Sequence, residues 1–117
     1  MAENTALDIR DDRAGGKLVA YQDGEAAGVI AYFAMRPEPG ALVAVHTVVE
    51  PEYGGRGIAG ALVKEFYAMA AREGLPAVPI CSYAAKWAQR HPEDAPEAPA
   101  ELVREAEEQL KGHPELL

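Results

Sequence analysis

The chain has 117 residues, one domain's worth, of which 49% are hydrophobic and 26% charged. Its 11 basic and 19 acidic side chains leave a net charge of −8, which repels phosphate backbones and anionic lipid and argues against general nucleic-acid or membrane binding. A single cysteine, Cys81, excludes an intrachain disulfide framework and any Cys-rich zinc site. The N-terminus, MAENTALDIRDD, lacks the basic and apolar regions of a signal peptide. No apolar run approaches the ~18 residues of a membrane span, so a soluble, cytoplasmic protein is expected.

The first half reads as strands. A weak one is expected near Leu7 to Arg10, and a clearer one over Lys17 to Gln22, where the side chains alternate. Asp23-Gly24 then signals a tight hairpin, because both residues tolerate positive φ. A further strand runs from about Ala27 to Met35, then a Pro-Gly loop over Arg36 to Gly40. The strand from about Ala41 to Val49 is apolar on both faces, as a central buried strand should be. The period then becomes helical: Ile58, Leu62, Phe66 and Met69/Ala70 share a face up to Gly74, which stops the helix. Ala77 to Ile80 is expected as a short buried strand, and a second helix from Ser82, as N-cap, to about Arg90 before Pro92.

Beyond Pro92 the texture changes. Residues 92–99 form an acidic, proline-punctuated linker, and a last helix, about Ala100 to Lys111, carries Leu102, Val103, Ala106 and Leu110 on one narrow stripe. The charge divides at the same place: residues 1–91 hold 9 basic and 11 acidic groups, residues 92–117 hold 2 and 8. The expected units are therefore 1–91, a folded body, and 92–117, an appended linker and helix. This tail reads as a solvated helix docking its stripe, or as a lid or exchange arm.

The stretch richest in chemistry is Glu52-Tyr53-Gly54-Gly55-Arg56-Gly57-Ile58-Ala59-Gly60. Its glycines allow close approach of a ligand to the backbone, and the helix opening behind them supplies unpaired N–H donors and a positive dipole end. A phosphate or pyrophosphate suits such a turn; a plain tight turn is the alternative. No Gly-Lys-Ser/Thr comes after it, so it is not a P-loop, and no βαβ series supports a dinucleotide fold.

From His46-Thr47-Val48-Val49 through Gly54-Gly55-Arg56-Gly57-Ile58-Ala59, and on through Pro79-Ile80-Cys81-Ser82-Tyr83 and Arg90-His91-Pro92, the chain resembles the GNAT N-acetyltransferase superfamily, in particular its small, shortened members. The resemblance spans about residues 5 to 93. It implies an α+β fold (α/β-like in appearance): a mixed, largely antiparallel sheet of about five strands with helices packed on it, here with the appended C-terminal helix. It also implies acetyl-CoA as acetyl donor and a primary amine, unidentified, as acceptor. Backbone groups of Gly54, Gly55, Arg56, Gly57, Ile58 and Ala59 would bind the CoA pyrophosphate, and those of Val48 and Val49 would pair with the pantetheine arm. Two positions depart from the superfamily pattern: Gly54 stands where a basic residue or Gln is usual, and Val48 lies where many relatives carry a carboxylate base.

Cys81 ends a strand and precedes a helix, where the dipole favours a thiolate. The small relatives carry a cysteine at the matched position, so Cys81 is a candidate acetyl acceptor; the alternative is a space-filling buried cysteine. His46, on the adjacent strand, could deprotonate that thiol or an incoming ammonium, or could be a core histidine bonded to a carbonyl. Tyr83 and Lys86, one turn apart on the second helix, could reach the adenosine end of CoA. His91 reads as a helix cap, Trp87 as core, and His113 carries no signal. The leading expectation is thus an acetyl-CoA-dependent N-acetyltransferase, working directly or through Cys81. A CoA-binding module with little catalysis, or an interaction protein acting through its last helix, are the alternatives; monomer and homodimer are equally compatible.

Overall fold

The computed structural model describes residues 7–37 and 40–116. Strands β1 (Leu7–Asp12), β2 (Lys17–Gln22), β3 (Glu25–Ala34) and β4 (Leu42–Val49) form an antiparallel meander, and the short β5 (Ala77–Pro79) joins parallel to β4. Helix α1 (Ile58–Arg72) supplies the crossover between those two strands. Helices α2 (Ser82–Arg90) and α3 (Ala100–Leu110) come next, and 3-10 turns lie at Pro51–Tyr53 and Pro114–Leu116. The mixed five-stranded sheet with three packed helices is the α+β architecture expected.

Local chemistry accounts for the boundaries. Asp23 and Gly24 both take positive φ, 53° and 86°, as a two-residue hairpin turn requires. At the end of α1, Gly74 adopts φ 72°, its N–H bonding Ala71 O at 3.0 Å while Leu75 N–H bonds Ala70 O at 2.9 Å, a closure that satisfies the last carbonyls. One expectation shifts by a residue: Cys81, not Ser82, is the N-cap of α2, and Ser82 is already helical.

The sheet buries both faces. On one, Leu18, Ala20, Ile30, Leu42 and Ala44 pack against Ile58, Leu62, Phe66 and Ala70 of α1. On the other, Phe33, Met35, Val43, Val45 and Val78 meet Leu102, Val103, Ala106 and Leu110 of α3, the stripe that the sequence marked. Gly28 on β3 lets α1 settle close: a Cβ there would stand 3.1 Å from Leu62 Cδ1 and 3.2 Å from both Ile58 Cγ2 and Val48 O. That absence of a side chain seats the beginning of α1 beside the far end of β4.

A register shift shapes β4. Ala44 faces Tyr32 but His46 faces Ala31, so Val45 is the extra residue of a β-bulge. Bulges bend a strand and re-aim the residues on its far side. Here the bend falls where β5 leaves β4: the last β5-side contacts are Ile80 and Cys81 N–H groups, which both donate to Ala44 O at 3.0 and 3.1 Å.

Candidate active site

Past Ala44, then, among the described residues β4 pairs with a strand only on its β3 side. Glu50 N–H donates to Ala27 O at 2.8 Å, which makes that opposed pair hydrogen-bonded. Alternation along the ladder directs the backbone groups of Val48 and His46 at β3 as well, and those of Thr47 and Val49 to the open edge. The open edge is thus a short strand template, with Thr47 and Val49 offering N–H and C=O groups. Val48 is 53% exposed, a large apolar side chain bordering this edge.

At the end of the edge stands the glycine turn. Gly54 N–H closes the 3-10 turn onto Pro51 O at 3.1 Å. Gly55 and Gly57 then take φ 79° and 78°, a region that costs other residues about 1–2 kcal/mol. A Cβ on either would meet nothing within 4 Å, so both face open space. Gly57 is the N-cap of α1 without a side-chain cap, and the first helical bond runs from Ala61 N–H to Gly57 O at 3.0 Å. Among the described residues, the N–H groups of Gly55, Arg56, Gly57, Ile58, Ala59 and Gly60 therefore donate to no protein acceptor. Six unpaired donors in succession at a helix N-terminus offer a cradle for anionic oxygen. Arg56 adds a guanidinium, which lies over the Tyr53 ring at 5.3 Å from its centroid.

Helix α2 leans over the same helix end. The Tyr83 hydroxyl and Trp87 Nε1 would lie 3.5 and 3.6 Å from a Cβ at position 60. Tyr83, 41% exposed, is thereby brought to the cradle, whereas Lys86 is exposed one turn further on. Trp87 stacks between Tyr67 and His91, and His91 Nδ1 donates to Trp87 O at 2.9 Å, capping the helix.

Cys81 and His46 are not brought together. The half-buried Cys81 thiol donates to Thr47 Oγ1 at 3.4 Å, on the α1 face of the sheet. His46, the preceding residue of β4, points to the opposite face, where its Nε2 lies 2.5 Å from Leu116 O. His46 is exposed rather than buried in the core. Two participants were not legible as such in the sequence. Thr47 can be derived from period-2 alternation once β5 is known to run parallel beside β4. The Leu116 carbonyl has no side-chain signal and sits 70 positions away.

A cleft of about 440 Å³, between α2, residues 92–98 and α3, lies apart from this site. The cradle and strand edge instead form an open surface rich in backbone donors, which suits an elongated ligand laid along it.

Known proteins share this fold. Residues 17–96 match the family model described as GCN5-related N-acetyl-transferase. A ribosomal-protein-alanine N-acetyltransferase from Brucella melitensis biovar Abortus 2308 is similar in structure, with TM-score 0.55 and 24% identity over 71% of this chain and 62% of that one. An integron cassette protein from V. cholerae aligns with TM-score 0.50 and 18% identity over 72% of this chain and 56% of that one. The chain thus spans about three fifths of the length of the solved structures it matches. No curated protein sequence matches it significantly. With a family model covering most of the chain and the fold in agreement, the chain belongs to the GCN5-related N-acetyltransferase family.

Proposed function

We propose that this chain is an acetyl-CoA-dependent N-acetyltransferase acting on a primary amine. One observation carries the reading: six unpaired N–H groups at the start of α1 lie at the end of an open β4 edge that offers Thr47 and Val49 backbone groups. The first feature fits a pyrophosphate and the second fits the amide groups of a pantetheine arm. The unpaired N–H groups of Gly55 through Gly60, with the Arg56 guanidinium, hold the phosphates, while the Gly54 N–H closes the preceding turn; Tyr83 and Lys86 border the adenosine end. Acetyl-CoA supplies a thioester, whose carbonyl accepts a nucleophile and whose sulfur leaves as a thiolate.

The acceptor side of the sheet is the one that carries His46. There its imidazole takes a proton from the acceptor's ammonium, leaving an amine able to attack. The new N–C bond forms as the C–S bond breaks; the attacking nitrogen's surplus proton passes to the departing thiolate, and the first proton stays on the imidazole until solvent removes it. His46 and Cys81 lie on opposite faces, so this route uses the histidine without the thiol. A second reading is kept for Cys81 because its thiol sits where β5 parts from β4: the thiolate would take the acetyl group, then hand it to the amine.

Thiol release from acetyl-CoA over a panel of primary amines tests the proposal. Amine-dependent release is expected, and its absence with every amine, despite acetyl-CoA binding, would leave a CoA-binding module. With the amine identified, Cys81→Ala is expected to retain most activity and His46→Ala to lose about a hundredfold or more. The reverse pattern, with acetyl trapped on Cys81, would assign the covalent route.

A further inference from the structure

The 3-10 turn at Pro114–Leu116 is held by an ordered series of contacts. Gln109 at the end of α3 grips the loop that precedes β4, its Oε1 accepting from Arg36 N–H at 2.9 Å and its Nε2 donating to Arg36 O at 2.7 Å. His113 then stacks on Phe33 of β3, with ring centroids 4.4 Å apart and planes 24° apart. Leu116 N–H bonds His113 O at 2.8 Å, and the Leu116 side chain packs against the cluster of Phe33, Val43 and Val45. The product of these contacts is one placed atom, the Leu116 carbonyl oxygen, 2.5 Å from His46 Nε2.

A carbonyl only accepts hydrogen bonds, so Nε2 carries the proton. In the neutral imidazole the basic lone pair is then on Nδ1. We infer that Leu116 is a positioning residue: its carbonyl fixes the tautomer and the ring orientation of His46, so that Nδ1 is the nitrogen presented to the acceptor amine. The inference rests on the reading of His46 as proton acceptor. An exposed strand histidine without this partner would divide its time among rotamers and tautomers, and only a fraction would be competent. The segment beyond residue 91 thereby completes the site instead of merely covering the sheet.

The test uses full-length protein, with His113→Ala removing the stack on Phe33 and Leu116→Gly removing the packed side chain. Long-range ¹H–¹⁵N spectra of the imidazoles, at a pH where His46 is neutral, are expected to show the Nε2–H tautomer in the parent and a mixture in both variants. In both, kcat for acetyl transfer is expected to fall about tenfold, with KM for acetyl-CoA unchanged. An unchanged tautomer and kcat in His113→Ala and Leu116→Gly would overturn the inference. A rise in kcat would also overturn it, since the segment would then be an obstruction. Failure of the underlying reading looks different: His46→Ala would itself keep the parent kcat while the tautomer shift in the other variants persisted.

Discussion

Gly57 shows how one residue serves two ends. Its positive φ opens α1, and the space where its Cβ would stand is the space offered to a ligand. Gly57→Ala is expected to cost about 1–2 kcal/mol of stability through backbone strain, and also to weaken acetyl-CoA binding, which calorimetry would read separately. Tyr67 makes a contrasting case. It is 4% exposed and its buried hydroxyl has no hydrogen-bond partner among the described residues. Tyr67→Phe is expected to raise stability by about 1 kcal/mol, since an unpaired hydroxyl leaves the core. Burial also pushes the Tyr67 hydroxyl up to about 12. The unfolded chain gives up this proton near pH ~10, so the associated stability is present below pH ~10 and lost as pH rises towards 12. Denaturant midpoints across that alkaline range should fall less steeply in Tyr67→Phe, the remaining slope coming from Tyr32, which burial and its bond to Asp11 also raise. At this scale the sequence exposed the residues with distinctive chemistry, Cys81, His46 and the glycines. It concealed Thr47 and Leu116, because their roles depend on which face of β4 each neighbour occupies.

Elements were more legible than their irregularities. Alternation, the Asp23-Gly24 hairpin and the Gly74 stop each rest on local chemistry, and each element they mark is present. The bulge at Val45 rests on pairing between distant strands and has no local signal, yet it bends β4 where β5 departs. The seating of α1 is similarly non-local. Gly28→Ala would need Leu62, Ile58 and the Val48 carbonyl each to give by a few tenths of an ångström. Thermal unfolding is expected to show a loss of about 1 kcal/mol or more, together with weaker acetyl-CoA binding as the helix end shifts from the β4 edge. The other end of α1 is tied by Arg13, which donates to Tyr32 OH at 2.8 Å and pairs with Glu73, while Tyr32 OH donates to Asp11. Arg13→Ala is expected to cost about 1 kcal/mol of stability, read as a modest fall in the urea midpoint, without changing acetyl-CoA affinity, since the network lies at the opposite end of α1 from the glycine turn.

Across the whole molecule, a charge of −8 opposes anionic ligands at long range. Its distribution removes most of the conflict with the proposed polyanionic cofactor: residues 1–91 carry 9 basic and 11 acidic groups, and the proposed cradle would work through backbone donors within a few ångströms. The acidic segment beyond residue 91 docks on the body, with Ala95 and Ala106 buried and the Leu116 carbonyl against His46. Its composition announced solvation, whereas its placement depends on a narrow apolar stripe finding Phe33, Val43 and Val45. Among the described residues no helix is long and apolar enough to cross a membrane. The central claim, that the α1 cradle and the β4 edge hold acetyl-CoA, is tested most directly by thermal unfolding with and without millimolar acetyl-CoA. At a hundredfold excess over Kd, binding to the folded state adds about 2.7 kcal/mol, and a rise in Tm of roughly 10 °C is expected for a chain of this size. An unchanged Tm at millimolar acetyl-CoA would contradict the account.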